Sequence, residues 1–221
     1  MPARLEASAW LPWMVFVLAI FPFVVQPRLD IEFVGSFYTA GRWTWRGHPL
    51  LEFFYRCGPG PGLLVAVPSL LIWIGSYAVP RLRRLRVEAG FLAASAALGP
   101  WILTNLLFKE FWGRPRPLEL DVFGGTQTFV PFGVPGLEFS GHSFPSGHAA
   151  MAFFPLALAF VAWSRGRRRW ANVALLVGFT CGTLVGVTRV MAGAHFLSDI
   201  VGSATIVWLT CWALSPILKR R

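Results

Sequence analysis

Trp170 to Thr188 reads WANVALLVGFTCGTLVGVT and Ile200 to Leu218 reads IVGSATIVWLTCWALSPIL, two runs of 19 residues without a charge. Between them lies Arg189-Val-Met-Ala-Gly-Ala-His195-Phe-Leu-Ser-Asp199, which carries a cation, an imidazole and a carboxylate. A run of this length matches the roughly 17 to 25 residues that take a helix across a bilayer. The hydrocarbon offers the backbone no partners, so each run must satisfy its own N–H and C=O groups as a helix.

Working outward, four more uncharged windows appear: Ala7–Val25, Cys57–Pro80, Ala89–Phe108 and Ala149–Ser164. The last extends backward through neutral Gly147 and Ser146. Pro22, Pro68, Pro100 and Pro155 are predicted to kink these helices rather than end them. The expected fold is all-α: a polytopic membrane protein of six transmembrane helices, with residues 1–221 forming a single domain. The first window is read as a retained span, because no small-residue cleavage site follows it.

Composition agrees. Only 14% of the 221 residues are charged and 55% are hydrophobic, with a mean hydropathy of +0.58. Soluble domains carry about 25% charged residues. The net charge of +10 would suit nucleic acid, but the cations fall in short clusters between apolar runs, as in membrane-protein loops. Nucleic acid is therefore excluded as a partner; the bilayer and a membrane lipid are the partners expected, with no obligate protein partner. Three cysteines, Cys57, Cys181 and Cys211, show no CxxC or finger spacing, so neither a disulfide framework nor a zinc finger is expected.

Loop charge sets the orientation. With the N-terminus in the cytoplasm, that side holds 12 of the Lys and Arg residues and the opposite side 8. Both termini are therefore expected in the cytoplasm. That orientation puts all three polar constellations on the outer face. Trp43, Trp45, Phe53, Phe54 and Tyr55 lie in an outer loop, where aromatics favour headgroup depth and a short interfacial helix is expected near Pro49–Tyr55.

The constellations are Lys109-Glu-Phe-Trp-Gly-Arg114-Pro-Arg116-Pro117, Pro145-Ser146-Gly147-His148, and Arg189 through Asp199. His195 and Asp199 are four apart, one helical turn. A carboxylate on one ring nitrogen would fix the tautomer and leave the other nitrogen bare as a nucleophile. Ser146 is a favourable helix N-cap, and the N–H groups behind it form an anion site. His148 beside that anion could protonate a leaving oxygen. Lys109, Arg116 and Arg189, with Arg114 and His142 as possible additions, suit the equatorial oxygens of a transferring phosphoryl group. The competing reading is a zinc site made by His142, His148, His195 and Asp199. The cations around it would repel a metal, so no metal and no cofactor is expected.

These three segments, in this order and spacing, resemble the signature of the type-2 phosphatidic acid phosphatase superfamily. Thr188 departs from the Ser often found before the arginine. The resemblance implies a metal-independent phosphatase. In it His195 attacks phosphorus, Asp199 orients it and His148 protonates the leaving group, while Lys109, Arg116, Ser146, Gly147 and Arg189 hold the phosphate. It also implies inhibition by vanadate. Gly141–Ala149, Gly193–Asp199 and the segment from Asp30 through Phe37-Tyr38 to Tyr55-Arg56 are similar to the lipid A phosphatase branch. The expected substrate is lipid A at the periplasmic face of a bacterial inner membrane. Undecaprenyl pyrophosphate, phosphatidylglycerophosphate and phosphatidic acid are the alternative substrates. A lipid transporter and a non-catalytic headgroup-binding protein are alternatives of another class.

Overall fold

The computed structural model describes residue 14, residues 16–136 and residues 141–219. Its helices are α1 (Phe16–Val25), α2 (Arg28–Gly35), α3 (Pro49–Cys57), α4 (Gly60–Ala78), α5 (Pro80–Phe111), α6 (Gly147–Ser164), α7 (Arg168–Met191) and α8 (Leu197–Lys219). Among the described residues, five helical stretches are long and apolar enough to cross a membrane: α3 with α4, then α5, α6, α7 and α8. The sixth expected window is represented by α1; Ala7 to Trp13 and Val15 lie outside the described residues. Strand structure also enters as one small antiparallel hairpin, β1 (Tyr38–Thr39) with β2 (Arg42–Trp43). Its turn runs through Ala40 and Gly41, both at positive φ.

The four prolines remain inside helices. Around Pro100 the chain widens into a π-helix over Ala97–Phe108, and at Pro155 it tightens into a 3-10 turn over Phe154–Leu156. Both changes of winding follow from the donor that proline lacks and from its clash with the preceding turn. The Asn105 amide donates to the Pro100 carbonyl at 2.7 Å. α3 runs into α4 through Gly58 and Pro59, which keep right-handed helical dihedrals.

Small residues set the packing of α7. A Cβ on Gly182 would stand 2.0 Å from the Phe153 ring of α6, and one on Gly186 would stand 2.3 Å from Ile200 of α8. Lipid gives helices no hydrophobic drive to associate, so such close approach is what holds them together. Large apolar side chains point outward instead, among them Leu64 at 76% and Leu176 at 69% exposure. An ordinary soluble surface avoids such an apolar coat.

The two ends of the bundle differ. At one end the Arg165 guanidinium meets Glu88 at 2.9 Å and Arg86 donates to Ser76 Oγ at 2.9 Å, which joins the α4–α5 and α6–α7 turns. At the other end lie the last turns of α5 and α7 and the first turns of α6 and α8. The polar constellations sit there.

Candidate active site

Ser143 links the three segments. Its N–H donates to the Arg114 carbonyl at 2.9 Å. Its hydroxyl donates to Asp199 Oδ2 at 2.6 Å. Its own carbonyl stands 2.6 Å from His195 Nδ1. A carbonyl only accepts, so Nδ1 carries the proton and Nε2 holds the free lone pair. The expected carboxylate–imidazole bond is thereby corrected: Asp199 Oδ2 is 3.7 Å from Nδ1, beyond hydrogen-bond reach. Asp199 acts instead on the frame, accepting from the Phe196 N–H at 2.8 Å and from Ser143.

His195 is buried, and burial lowers its pKa below the usual imidazole value; Arg189 and Lys109 add to this, while nearby Asp199 pulls the other way. The neutral, nucleophilic ring therefore persists to lower pH.

Arg114 also departs from expectation. The sequence offers it as a possible addition to the phosphate cations, yet its side chain is wholly buried. Nη1 donates to Asp199 Oδ1 at 2.5 Å and to Ser198 Oγ at 2.8 Å, Nη2 to Asp30 Oδ2 at 2.9 Å, and Nε to the Val130 carbonyl at 3.0 Å. Its face lies 4.3 Å from the Phe196 ring centroid. Two carboxylates compensate its charge, leaving nothing for a ligand. Asp30 also accepts from the Ser198 N–H at 3.0 Å and hydroxyl at 2.5 Å.

Three other cations contrast with it. Lys109 lies in the last turn of α5, Arg116 follows Pro115, and Arg189 sits in the last turn of α7. They lie within one another's electrostatic reach. Arg116 and Arg189 line one cleft, with Arg46, Leu51, Glu52, Tyr55 and Ala194 among its walls. The Nε of each is buried without a hydrogen-bond partner among the described residues. Buried donors of this kind require a partner, and a cluster of cations asks for an anion.

Ser146 caps α6, its Oγ accepting from the Ala149 N–H at 3.4 Å. Its own N–H is held by Ser203 Oγ of α8 at 2.9 Å. The next N–H groups, at Gly147 and His148, have no carbonyl partner within α6, as in any first helical turn. A Cβ at Gly147 would lie 2.4 Å from Asn105 Oδ1, so a side chain there requires the Asn105 amide to move. His148 lies within electrostatic reach of Arg189, His195 and Lys109. His142 Nδ1 meets the Lys109 carbonyl at 3.0 Å, which ties the loop to the end of α5.

Lys109, Arg116, Ser146, Gly147, His148, Arg189 and His195 are thus gathered at one end of the bundle, with Asp199 behind His195. Arg114 belongs to the support. For the zinc reading, no three His, Cys, Asp or Glu side chains among the described residues are placed to share an ion. The sequence marks Tyr55 only as a headgroup-level aromatic and Asp30 only as the start of a segment similar to a known branch, and gives Asn105, Ser143 and Ser198 no role. The buried pair of Asp30 and Ser198 spans 168 positions, a separation with no local signal.

A family model described as the PAP2 superfamily matches residues 88–221. A lipid A 4'-phosphatase of Francisella tularensis subsp. novicida is 29% identical over 90% of this chain and 90% of its own length. A lipid A 1-phosphatase of Rhizobium johnstonii is 39% identical over 95% of this chain and 79% of its own. A lipid A 4'-phosphatase of Rhizobium etli is 39% identical over 59% of this chain; the match spans 46% of that relative's length. No solved structure matches the chain.

Proposed function

This chain belongs to the PAP2 superfamily, and from that premise we propose that it removes phosphate from a membrane lipid through a phosphohistidine on His195. Family and relatives make it a phosphatase, and its helices make it a polytopic membrane protein. The observation that carries the mechanism is a tautomer-fixed His195 at the same end of the bundle as Arg116 and Arg189, whose Nε groups are buried without a hydrogen-bond partner among the described residues.

In the proposed reaction, Lys109, Arg116 and Arg189 hold the phosphate oxygens together with the first N–H groups of α6 behind Ser146 and Gly147. Such donors stabilise the charge spread over the equatorial oxygens. Nε2 of His195 attacks phosphorus, the bond to the leaving oxygen breaks, and His148 supplies that oxygen with a proton. The bound dianion supplies the negative charge that keeps this proton on His148. Water then attacks the phosphohistidine while His148 takes a proton back. Asp199, Ser143, Arg114 and Asp30 hold the frame.

The substrate we favour is lipid A, since the matched relatives carry lipid A phosphatase names. Those names divide between the 1 and 4' positions, which the products will separate. The site is assigned to the periplasmic face of a bacterial inner membrane, with six spans and both termini inside. Supporting this are the arginine-rich turns at the opposite end of the bundle. The test is phosphate release by purified protein in EDTA, run on lipid A, undecaprenyl pyrophosphate and phosphatidylglycerophosphate beside His195→Ala. Release that survives EDTA, is blocked by vanadate and vanishes in the variant is expected. Release that survives His195→Ala would overturn the proposal.

A further inference from the structure

Tyr55 on α3 lies far ahead of the three motif segments, yet its ring touches two of them. It stacks on the His148 imidazole, with centroids 4.7 Å apart and planes 23° from parallel. The Arg189 guanidinium carbon lies 4.6 Å from the centroid of the same ring. Tyr55 is 42% exposed and lines the cleft that Arg116 and Arg189 also line, so core packing does not explain it. Its helix is anchored nearby: a Cβ at Gly58 would stand 2.7 Å from Val185 of α7.

An offset aromatic stack restricts the plane of an imidazole, and a guanidinium over a ring face is likewise held. Proton donation to a leaving oxygen requires that imidazole plane to face the oxygen. We propose that Tyr55 is a positioning residue for the proton donor His148. The inference rests on the phosphatase reading above. When His195 forms its bond to phosphorus, the electron pair of the breaking P–O bond goes to the leaving oxygen. An alkoxide needs a proton from a well-aimed His148 at that moment. A nitrophenolate does not.

The test compares leaving groups. Tyr55→Leu removes the stack, Tyr55→Phe keeps it, and each is assayed on a lipid alkyl phosphate and on p-nitrophenyl phosphate. Since a placed general acid contributes about 100-fold or more, Tyr55→Leu is expected to lower kcat/KM, which reports the leaving-group step alone, about tenfold or more on the alkyl phosphate. It should change kcat/KM on the aryl phosphate less than about twofold, and Tyr55→Phe should restore the alkyl value. Equal loss on both substrates, no loss on either, or no rescue by phenylalanine overturns the inference. A wild-type protein that hydrolyses neither substrate overturns the phosphatase reading itself, so the two failures are distinct.

Discussion

The carbonyl of Ser143 stands 2.6 Å from Nδ1 of His195, while the Asp199 carboxylate is 3.7 Å from the same atom. The imidazole is thus oriented by a backbone group, and the carboxylate works one step behind it. This ordering changes what substitutions should do. In Asp199→Asn the Ser143 carbonyl still fixes the tautomer, so kcat for phosphate release is expected to fall about 10- to 100-fold, as for groups that orient a catalytic ligand from behind. His195→Ala should abolish release. Equal loss in the two variants would count against the ordering.

Arg114 is wholly buried between Asp30 and Asp199. Arg114→Leu leaves two carboxylates in the interior without their cation. Removing one member of a buried pair destabilises by about 3–5 kcal/mol. Thermal unfolding in detergent should show this loss for Arg114→Leu and a smaller one for Asp30→Asn, whose amide oxygen can still accept from Ser198. Arg116→Leu, which breaks no ion pair among the described residues, should leave the unfolding temperature nearly unchanged while raising KM.

Burial lowers the pKa of His195. A protonated ring cannot attack phosphorus, so activity is lost only as pH falls through this lowered value. The acid limb of kcat/KM for phosphate release is expected to have its midpoint below pH 6.5, the ordinary imidazole value. A midpoint at or above that value would mean a different group governs the limb.

A Cβ at Gly147 would meet Asn105 Oδ1 at 2.4 Å, and the Asn105 amide is held by its bond to the Pro100 carbonyl at 2.7 Å. Gly147→Ala should displace the first turn of α6 and its N–H donors, raising KM about tenfold, in line with the loss of one charge-assisted hydrogen bond. Adding Asn105→Ala relieves the contact, so part of that loss should return. Steady-state kinetics of both single variants and the double variant measure this non-additivity. Strictly additive effects would exclude the contact as the cause.

The apolar windows were legible because lipid imposes one rule on every residue of a span, and five membrane-length helical stretches follow them. That His148, His195 and three of the cations meet at one end of the bundle was legible, because each lies next to the end of an apolar window. Arg114 was not: residue type alone cannot separate a cation that meets a ligand from one that meets two carboxylates. Only the fold brings Asp30 across 84 positions to it. Ser143 was equally hidden, because its decisive group is a carbonyl that every residue possesses. Tyr55 read as a headgroup-level aromatic, and nothing in its neighbours in the chain pointed to His148.

A phosphoryl group that passes through His195 must be trapped there during turnover. Rapid quenching of the protein with lipid A bearing radiolabelled phosphate reads this out. Acid-labile, alkali-stable label on the peptide that contains His195, absent in His195→Ala, is the result expected. Turnover without any protein-bound label, or label that persists in His195→Ala, would contradict it.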